Sequence, residues 1–267
     1  MRIKFSKYEG TGNDFIIIDD WKKNFPLRKR ALIRNLCDRR FGIGADGLIL
    51  LRKHKGFDFS MVYFNSDGRE STMCGNGARC ITLFARKNGV IKNKTHFLAV
   101  DGAHDSEILS MHRNSAMVKL AMNEVNPVKR KGKDFIMDTG SPHYVRVVKD
   151  LIDLDVIKES RKIRYSAKFR RNGINVNFVM VKAGKVMLRT YERGVENETL
   201  SCGTGVVASA LACSVGGYAP VNGTVNVITP GGQLKVKYQK STTSANGFTK
   251  IFLIGPARFV FEGTLIF

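Results

Sequence analysis

The sequence predicts an α+β fold made of two similar halves, and two observations carry that prediction. The first is an internal repeat. Residues 63–77 read YFNSDGRESTMCGNG and residues 191–205 read YERGVENETLSCGTG, half a chain apart. Aligned on Cys74 and Cys202, Tyr63 matches Tyr191, Glu70 matches Glu198, and Gly75 and Gly77 match Gly203 and Gly205. The second is the pattern around each copy: alternating, strand-type residues precede it and a run of small, helix-compatible residues follows. Each half is therefore expected to place one cysteine at the start of one helix.

The elements follow in order. Strands are expected over 3–7 and 15–18, joined by Gly10-Thr11-Gly12-Asn13, which is turn chemistry. Residues 28–40 place Ala31, Leu32, Leu36 and Cys37 on one helical face. A glycine-rich bend at 42–47 leads into a strand at 48–51; it lacks the Gly-Lys-Ser/Thr of a phosphate-binding loop. Residues 58–64 alternate into the first cysteine module, whose helix covers 78–87, and 95–120 is strand-like. Residues 123–133, with Pro127 and clustered basic side chains, read as a linker. The second half then shows a strand at 135–137, a loop at 139–143, a helical patch near 144–152, and strands at 174–182 and 185–191. The second helix covers 206–215, and strands at 224–228, 233–238, 251–254 and 258–267 complete the chain.

Composition bounds the function. A chain of 267 residues with 43% hydrophobic content can bury one large core or two smaller ones. The N-terminus carries no apolar signal-peptide core, and the longest apolar run, 206–215, is too short for a membrane helix, so a cytoplasmic protein with no membrane partner is expected. Five cysteines, an odd number without metal-ligand spacing, argue against both a disulfide framework and a structural zinc site. Cys37, Cys80 and Cys213 lie among apolar residues and read as small buried hydrophobes. The net charge of +21 favours anionic partners. However, no nucleic-acid-binding motif and no interleaved aromatics accompany the basic runs, so nucleic acid is not the expected partner.

Cys74 and Cys202 are the candidate catalytic residues. A cysteine just before a helix faces unpaired backbone N–H groups and the positive end of the helix dipole, which favour the thiolate. Two such sulfurs, one from each half, suggest a single pocket with a sulfur on each side of a carbon that loses and regains a proton. The glycines that follow let backbone N–H groups approach a reacting carboxylate, so Gly75, Asn76, Gly203 and Thr204 are assigned to its cradle.

Read together, GTGNDF at 10–15, FGIGADG at 41–47, YFNSDG at 63–68, MCGNGAR at 73–79, GSPH at 140–143, GINVNF at 173–178, ERG at 192–194, SCGTG at 201–205 and GPA at 255–257 resemble the diaminopimelate epimerase family along the whole chain. The resemblance implies two pseudo-symmetric domains, each a β-barrel-like sheet around a central helix, with the active site in the cleft between them. It places 1–117 with 256–267 in one domain and 118–255 in the other. It also implies a homodimer that needs no cofactor and interconverts LL- and meso-diaminopimelate on the way to lysine and peptidoglycan.

By the same resemblance Asn13, Asn65 and Asn175 bind substrate, Arg193 holds the distal carboxylate, and Glu192 lies beside the pocket, touching substrate or moving protons at a cysteine. His143 is a second proton-handling neighbour. Two positions depart from the family pattern: Ser141 stands where many members carry Asn, and Gly47 where some carry Gln. The alternatives are a proline or hydroxyproline racemase-like enzyme, disfavoured by Asn76 and the Glu192-Arg193 pair, and more remotely a basic nucleic-acid-binding protein on the same fold.

Overall fold

The computed structural model describes residues 2–266, which form two compact units. One holds the chain up to Leu120 together with the segment from Gly255 onward; the other is the intervening Ala121–Ile254. The sequence reading set these divisions at 117/118 and 255/256.

In the first unit the elements are β1 (Arg2–Gly10), β2 (Asn13–Asp19), α1 (Arg30–Cys37), β3 (Gly47–Arg52), β4 (Phe59–Asn65), α2 (Gly75–Lys87), β5 (Lys94–Ala99), β6 (Gly102–His112) and β7 (Ser115–Met122), whose last residues, Ala121 and Met122, fall in the second unit. The second contains β8 (Lys129–Lys131), β9 (Asp134–Asp138), β10 (Pro142–Val147), α3 (Val156–Arg164), β11 (Asn175–Lys182), β12 (Lys185–Glu192), β13 (Asn197–Thr199), α4 (Gly203–Val215), β14 (Gly223–Thr229) and β15 (Gly232–Lys240). The last strand, β16 (Phe248–Ile266), supplies residues 248–254 to the second unit and 255–266 to the first.

The first unit is a closed barrel. Its strands follow one another from β1 through β7 to β16, and β16 pairs back onto β1 in antiparallel register from Arg2↔Ile266 to Glu9↔Arg258. Helix α2 fills it, with every residue from 75 to 85 buried. The second unit repeats the plan in the order β16, β15, β14, β12, β11, β10, β9, β8 around α4, whose residues 205–214 are all buried. Its ends are stitched by two hydrogen bonds between Val125 and Phe248 (N–H to O, 3.0 and 2.8 Å) and by Val128 N–H to Asn246 O at 2.9 Å. In both units the pairs flanking a helix run parallel: β2–β3 and β4–β5 around α1 and α2, β10–β11 and β12–β14 around α3 and α4. This is the crossover that parallel strands require.

Burial on both faces explains why some strands read as unbroken apolar runs. Ile16, Ile18, Leu48 and Leu50 pack with Ile33, Leu36 and Cys37 of α1 on the outer side of the barrel wall. Phe15, Ile17, Ile49 and Leu51 are equally buried. Helix α4, made almost wholly of Val, Ala, Ser, Leu and Cys, has no polar face to show to water and sits inside its sheet. Cys37, Cys80 and Cys213 are buried, and burial raises the thiols of Cys37 and Cys213 to about 12. Among the described residues no helix is long and apolar enough to cross a membrane.

Several local readings are corrected. On α1 it is Ile33, not Ala31, that joins Leu36 and Cys37 in the core; Ala31 is exposed. The expected helical patch near 144–152 begins instead in β10, up to Val147, where Val145 packs in the α4 core while Tyr144 faces the α3 cluster, and 148–152 is irregular. The helix lies further on, at α3, where Asp155 caps it by accepting from Lys158 N–H at 3.0 Å. The 123–133 segment is not a free linker, since Val125 and Val128 are buried and β8 pairs with β9. Finally, 251–254 and 258–266 belong to one strand running through Gly255-Pro256, and position 267 lies outside the described residues.

Candidate active site

Each unit presents one half of the expected chemistry at the start of its central helix. In the first unit Cys74 is the residue just before α2, in extended backbone conformation (φ −103°, ψ 124°). Its sulfur lies 3.6 Å from Asn13 Oδ1, and Asn76 Nδ2 donates to the same oxygen at 3.4 Å. Asn13 Nδ2 donates to Asp46 Oδ2 at 2.6 Å. Asn76 is itself buried, and its Oδ1 accepts from Arg79 at 2.9 Å. Asn13 thus faces the Cys74 sulfur and is held there by Asn76, with Gly75 opening the helix. Asn65, at the exposed end of β4, pairs with Gly47 across the β3–β4 ladder.

In the second unit Cys202 precedes α4 with the same extended backbone (φ −118°, ψ 112°), followed by Gly203 and Thr204. Its sulfur is 3.4 Å from Thr204 Oγ1. Thr204 Oγ1 is also 2.9 Å from His143 Nε2. The other ring nitrogen, Nδ1, lies 3.0 Å from Asn177 Nδ2. Asn177 Oδ1 accepts from Thr190 and its Nδ2 also donates to Tyr144 O, so the amide nitrogen faces the ring. Nδ1 is then the acceptor and Nε2 carries the hydrogen, directed at Thr204.

The sequence argument for a thiolate fails at Cys202. Burial pushes this thiol well above its usual value, and the nearby Glu192 carboxylate, which hydrogen-bonds it, pushes the same way. The Thr204 hydroxyl and the Gly205 N–H oppose the shift without reversing it. A helix start stabilises a thiolate only where desolvation does not outweigh it. His143 is fully buried; burial, with a smaller contribution from the Arg193 charge, lowers it to about 3, so the imidazole is neutral near pH 7.

Asn175 donates to Ser141 Oγ (2.8 Å) and Pro142 O (3.1 Å) and accepts from Arg193 N–H (2.9 Å), which leaves its Oδ1 one further lone pair. Ser141, one of the two departures, therefore contacts Asn175 directly. Arg193 donates one guanidinium N–H to Asn172 O at 3.0 Å and is otherwise exposed. Its path needs Gly173: a Cβ there would stand 2.5 Å from Arg193 Cδ, at a backbone φ of +73°. The second departure, Gly47, has no room for a glutamine, because a Cβ would lie 2.5 Å from both Phe64 O and Tyr63 Cε2. The repeated glutamates differ in use. Glu198 forms a two-point ion pair with Arg189 (2.7 and 2.7 Å), whereas Glu70 bridges Phe64 through its backbone.

Gly205 is a second tight point of this half-site, against the Asn177–His143 pair. A Cβ would come 2.6 Å from Asn177 Oδ1 and 3.4 Å from His143 Cε1. Gly205→Ala is expected to destabilise the protein by about 1–3 kcal/mol, as other overpacked buried positions do. Urea unfolding followed by far-UV circular dichroism checks it, and an unchanged midpoint would show that the Asn177–His143 pair yields freely.

Sequence reasoning missed Asp46, Arg79, Asn177 and Thr190. Arg79 carried a signal, as the one charged residue among the small and apolar positions 75–85.

With this geometry in view, comparison with known proteins is decisive. The family model described as diaminopimelate epimerase matches residues 5–127 and 135–260. The chain belongs to the diaminopimelate epimerase family. A diaminopimelate epimerase of Flavobacterium psychrophilum is 49% identical over 265 residues, which is 98% of this chain and 100% of that protein. One from Aquifex aeolicus is 36% identical over 282 residues, covering 98% of each. Among solved structures, a phenazine biosynthesis protein of Bacillus anthracis superposes with a TM-score of 0.74 at 13% identity, covering 100% of both chains. A hydroxyproline epimerase from Agrobacterium vitis reaches 0.70 at 14%, covering 99% of this chain and 92% of that one. At these identities the two structures share the fold.

Proposed function

We propose that the protein is a cofactor-independent diaminopimelate epimerase that interconverts the LL and meso isomers, with Cys74 and Cys202 as the two proton carriers. The observation that carries the reading is the pair of cysteines, each placed by the same strand–loop–helix module in a member of this family. In one direction Cys202 passes its proton to Glu192 and, as thiolate, takes the substrate α-proton, while the Cys74 thiol delivers its own proton to the carbanion. In the other direction the Cys74 thiolate is the base and the Cys202 thiol the acid. The two sulfurs titrate as one coupled system.

Backbone N–H groups at Gly75, Asn76, Gly203 and Thr204 stabilise the charge that builds on the α-carboxylate as the proton leaves. Arg193 suits the distal carboxylate, because a guanidinium binds a carboxylate through two parallel hydrogen bonds. Asn13, Asn65 and Asn175 fix the remaining polar groups of the substrate. His143 acts as a neutral donor through Thr204. The enzyme works as a cytoplasmic homodimer supplying lysine and peptidoglycan synthesis.

The test is ¹H NMR of LL-diaminopimelate in D₂O with the reduced protein. Loss of the α-proton signal with appearance of the meso isomer, and no exchange in proline, is the expected result. Absence of exchange in folded, reduced protein overturns the assignment, and exchange in proline alone transfers the reading to the racemase branch.

A further inference from the structure

Arg79 is completely buried, the largest of the fully buried side chains, and burial lowers its pKa. No carboxylate pairs with it in an ion pair among the described residues. Its guanidinium donates instead to neutral oxygens: Asn76 Oδ1 (2.9 Å), Thr11 Oγ1 (3.1 Å), Gly75 O (3.2 Å) and Pro256 O (3.2 Å). Burying a cation in this way is costly and calls for a purpose.

At the other end of the same chain of contacts stands Asp46. Its Oδ1 is held by Arg39 at 2.8 Å, and its Oδ2 accepts from Asn13 Nδ2 at 2.6 Å and from Asp14 N–H at 3.2 Å. Between these two charges lie the amides of Asn76 and Asn13, each of which could face either way. Arg79 can only donate, so the Asn76 oxygen must face it. Ionised Asp46 can only accept, so the Asn13 nitrogen must face it. Both constraints leave Asn76 Nδ2 donating to Asn13 Oδ1, as observed, and both turn that oxygen toward Cys74 Sγ.

We infer that Arg79 and Asp46 are positioning residues that lock the Asn76–Asn13 amide pair from opposite ends, so that Cys74 faces an acceptor and is held as the thiol. A flipped Asn13 would offer its NH₂ to the sulfur and favour the thiolate. The titratable and charged groups bearing on this helix start are Arg79, Glu9, Cys80, Asp14 and Asp46 with its partner Arg39.

This inference deepens the role proposed for Cys74, but its test reads the sulfur directly and does not depend on the substrate. Iodoacetamide labelling of Cys74, quantified by peptide mass spectrometry across pH, gives the thiol's apparent pKa. Asp46→Asn removes the lock at a half-exposed carboxylate, so the fold survives. It should lower the Cys74 inflection by about one pH unit, since the hydrogen bond gained by the thiolate is charge-assisted. Asp14→Asn removes the same charge beside the same Arg39 without touching the Asn13 amide, and should leave the inflection near the wild-type value. Arg79→Lys keeps the charge but loosens the hold on Asn76, and should move the inflection in the same direction as Asp46→Asn. Equal shifts in Asp46→Asn and Asp14→Asn would reduce the effect to charge alone and overturn the inference, as would an unmoved inflection in Asp46→Asn.

Discussion

Cys74→Ala and Cys202→Ala will each lower conversion between the two isomers by about 1,000-fold or more, the scale of losing a general acid or base that acts in the rate-limiting proton transfer. The more diagnostic result lies in the residual exchange. With one carrier removed, the remaining sulfur can still take the α-proton of the isomer it faces and return a solvent-derived deuteron to the same side. Each variant should therefore keep slow α-proton exchange, without inversion, for only one isomer, and the two variants should be selective for opposite isomers. Parallel ¹H NMR assays with LL- and meso-diaminopimelate in D₂O give four rates. Loss of all four exchanges in a folded variant would show that the sulfurs do not act as independent bases. Retention of inversion in either variant would remove that cysteine from the mechanism.

Much of this arrangement could be read from the residues, and the parts that could not share a cause. The repeat was legible because local backbone demands recur: an extended cysteine, then a glycine opening a buried helix, in both halves. Strands β2 and β3 were legible as short apolar runs because both of their faces are buried. Where tertiary context decides, periodicity misled. The segment after His143 carries a mixture of valines and charges compatible with a helix, yet it pairs in parallel with β11. The basic 123–133 stretch looked solvated, but its two buried valines close the second barrel. The sign of the Cys202 shift was the most consequential error. The helix start was visible in the sequence, whereas the desolvation that outweighs it exists only in the folded protein.

That same desolvation makes His143 a source of acid sensitivity. In the folded protein its imidazole is lowered to about 3 from an ordinary value of 6.5, chiefly by burial and secondarily by the Arg193 charge. Between these values the unfolded chain binds a proton at this position that the folded protein refuses. Stability therefore rises with pH across the window from 3 to 6.5, and acidification removes it. At pH 5 the loss relative to neutral pH is on the order of 2 kcal/mol, and near pH 3 it is on the order of 4 kcal/mol. Such a term is a large fraction of a domain's net stability.

His143→Gln, which cannot titrate, should flatten the dependence of unfolding free energy on pH by up to about 1.4 kcal/mol per pH unit within the window. Urea unfolding of both proteins at intervals from pH 7 to pH 4 provides the comparison. An NMR titration of the wild-type imidazole is the independent check, since His143 should show no protonation shift down to pH 4. Parallel stability curves together with a histidine titrating near 6.5 would mean that water reaches the ring. The neutral, donor-only role of His143 toward Thr204 would then fall with it.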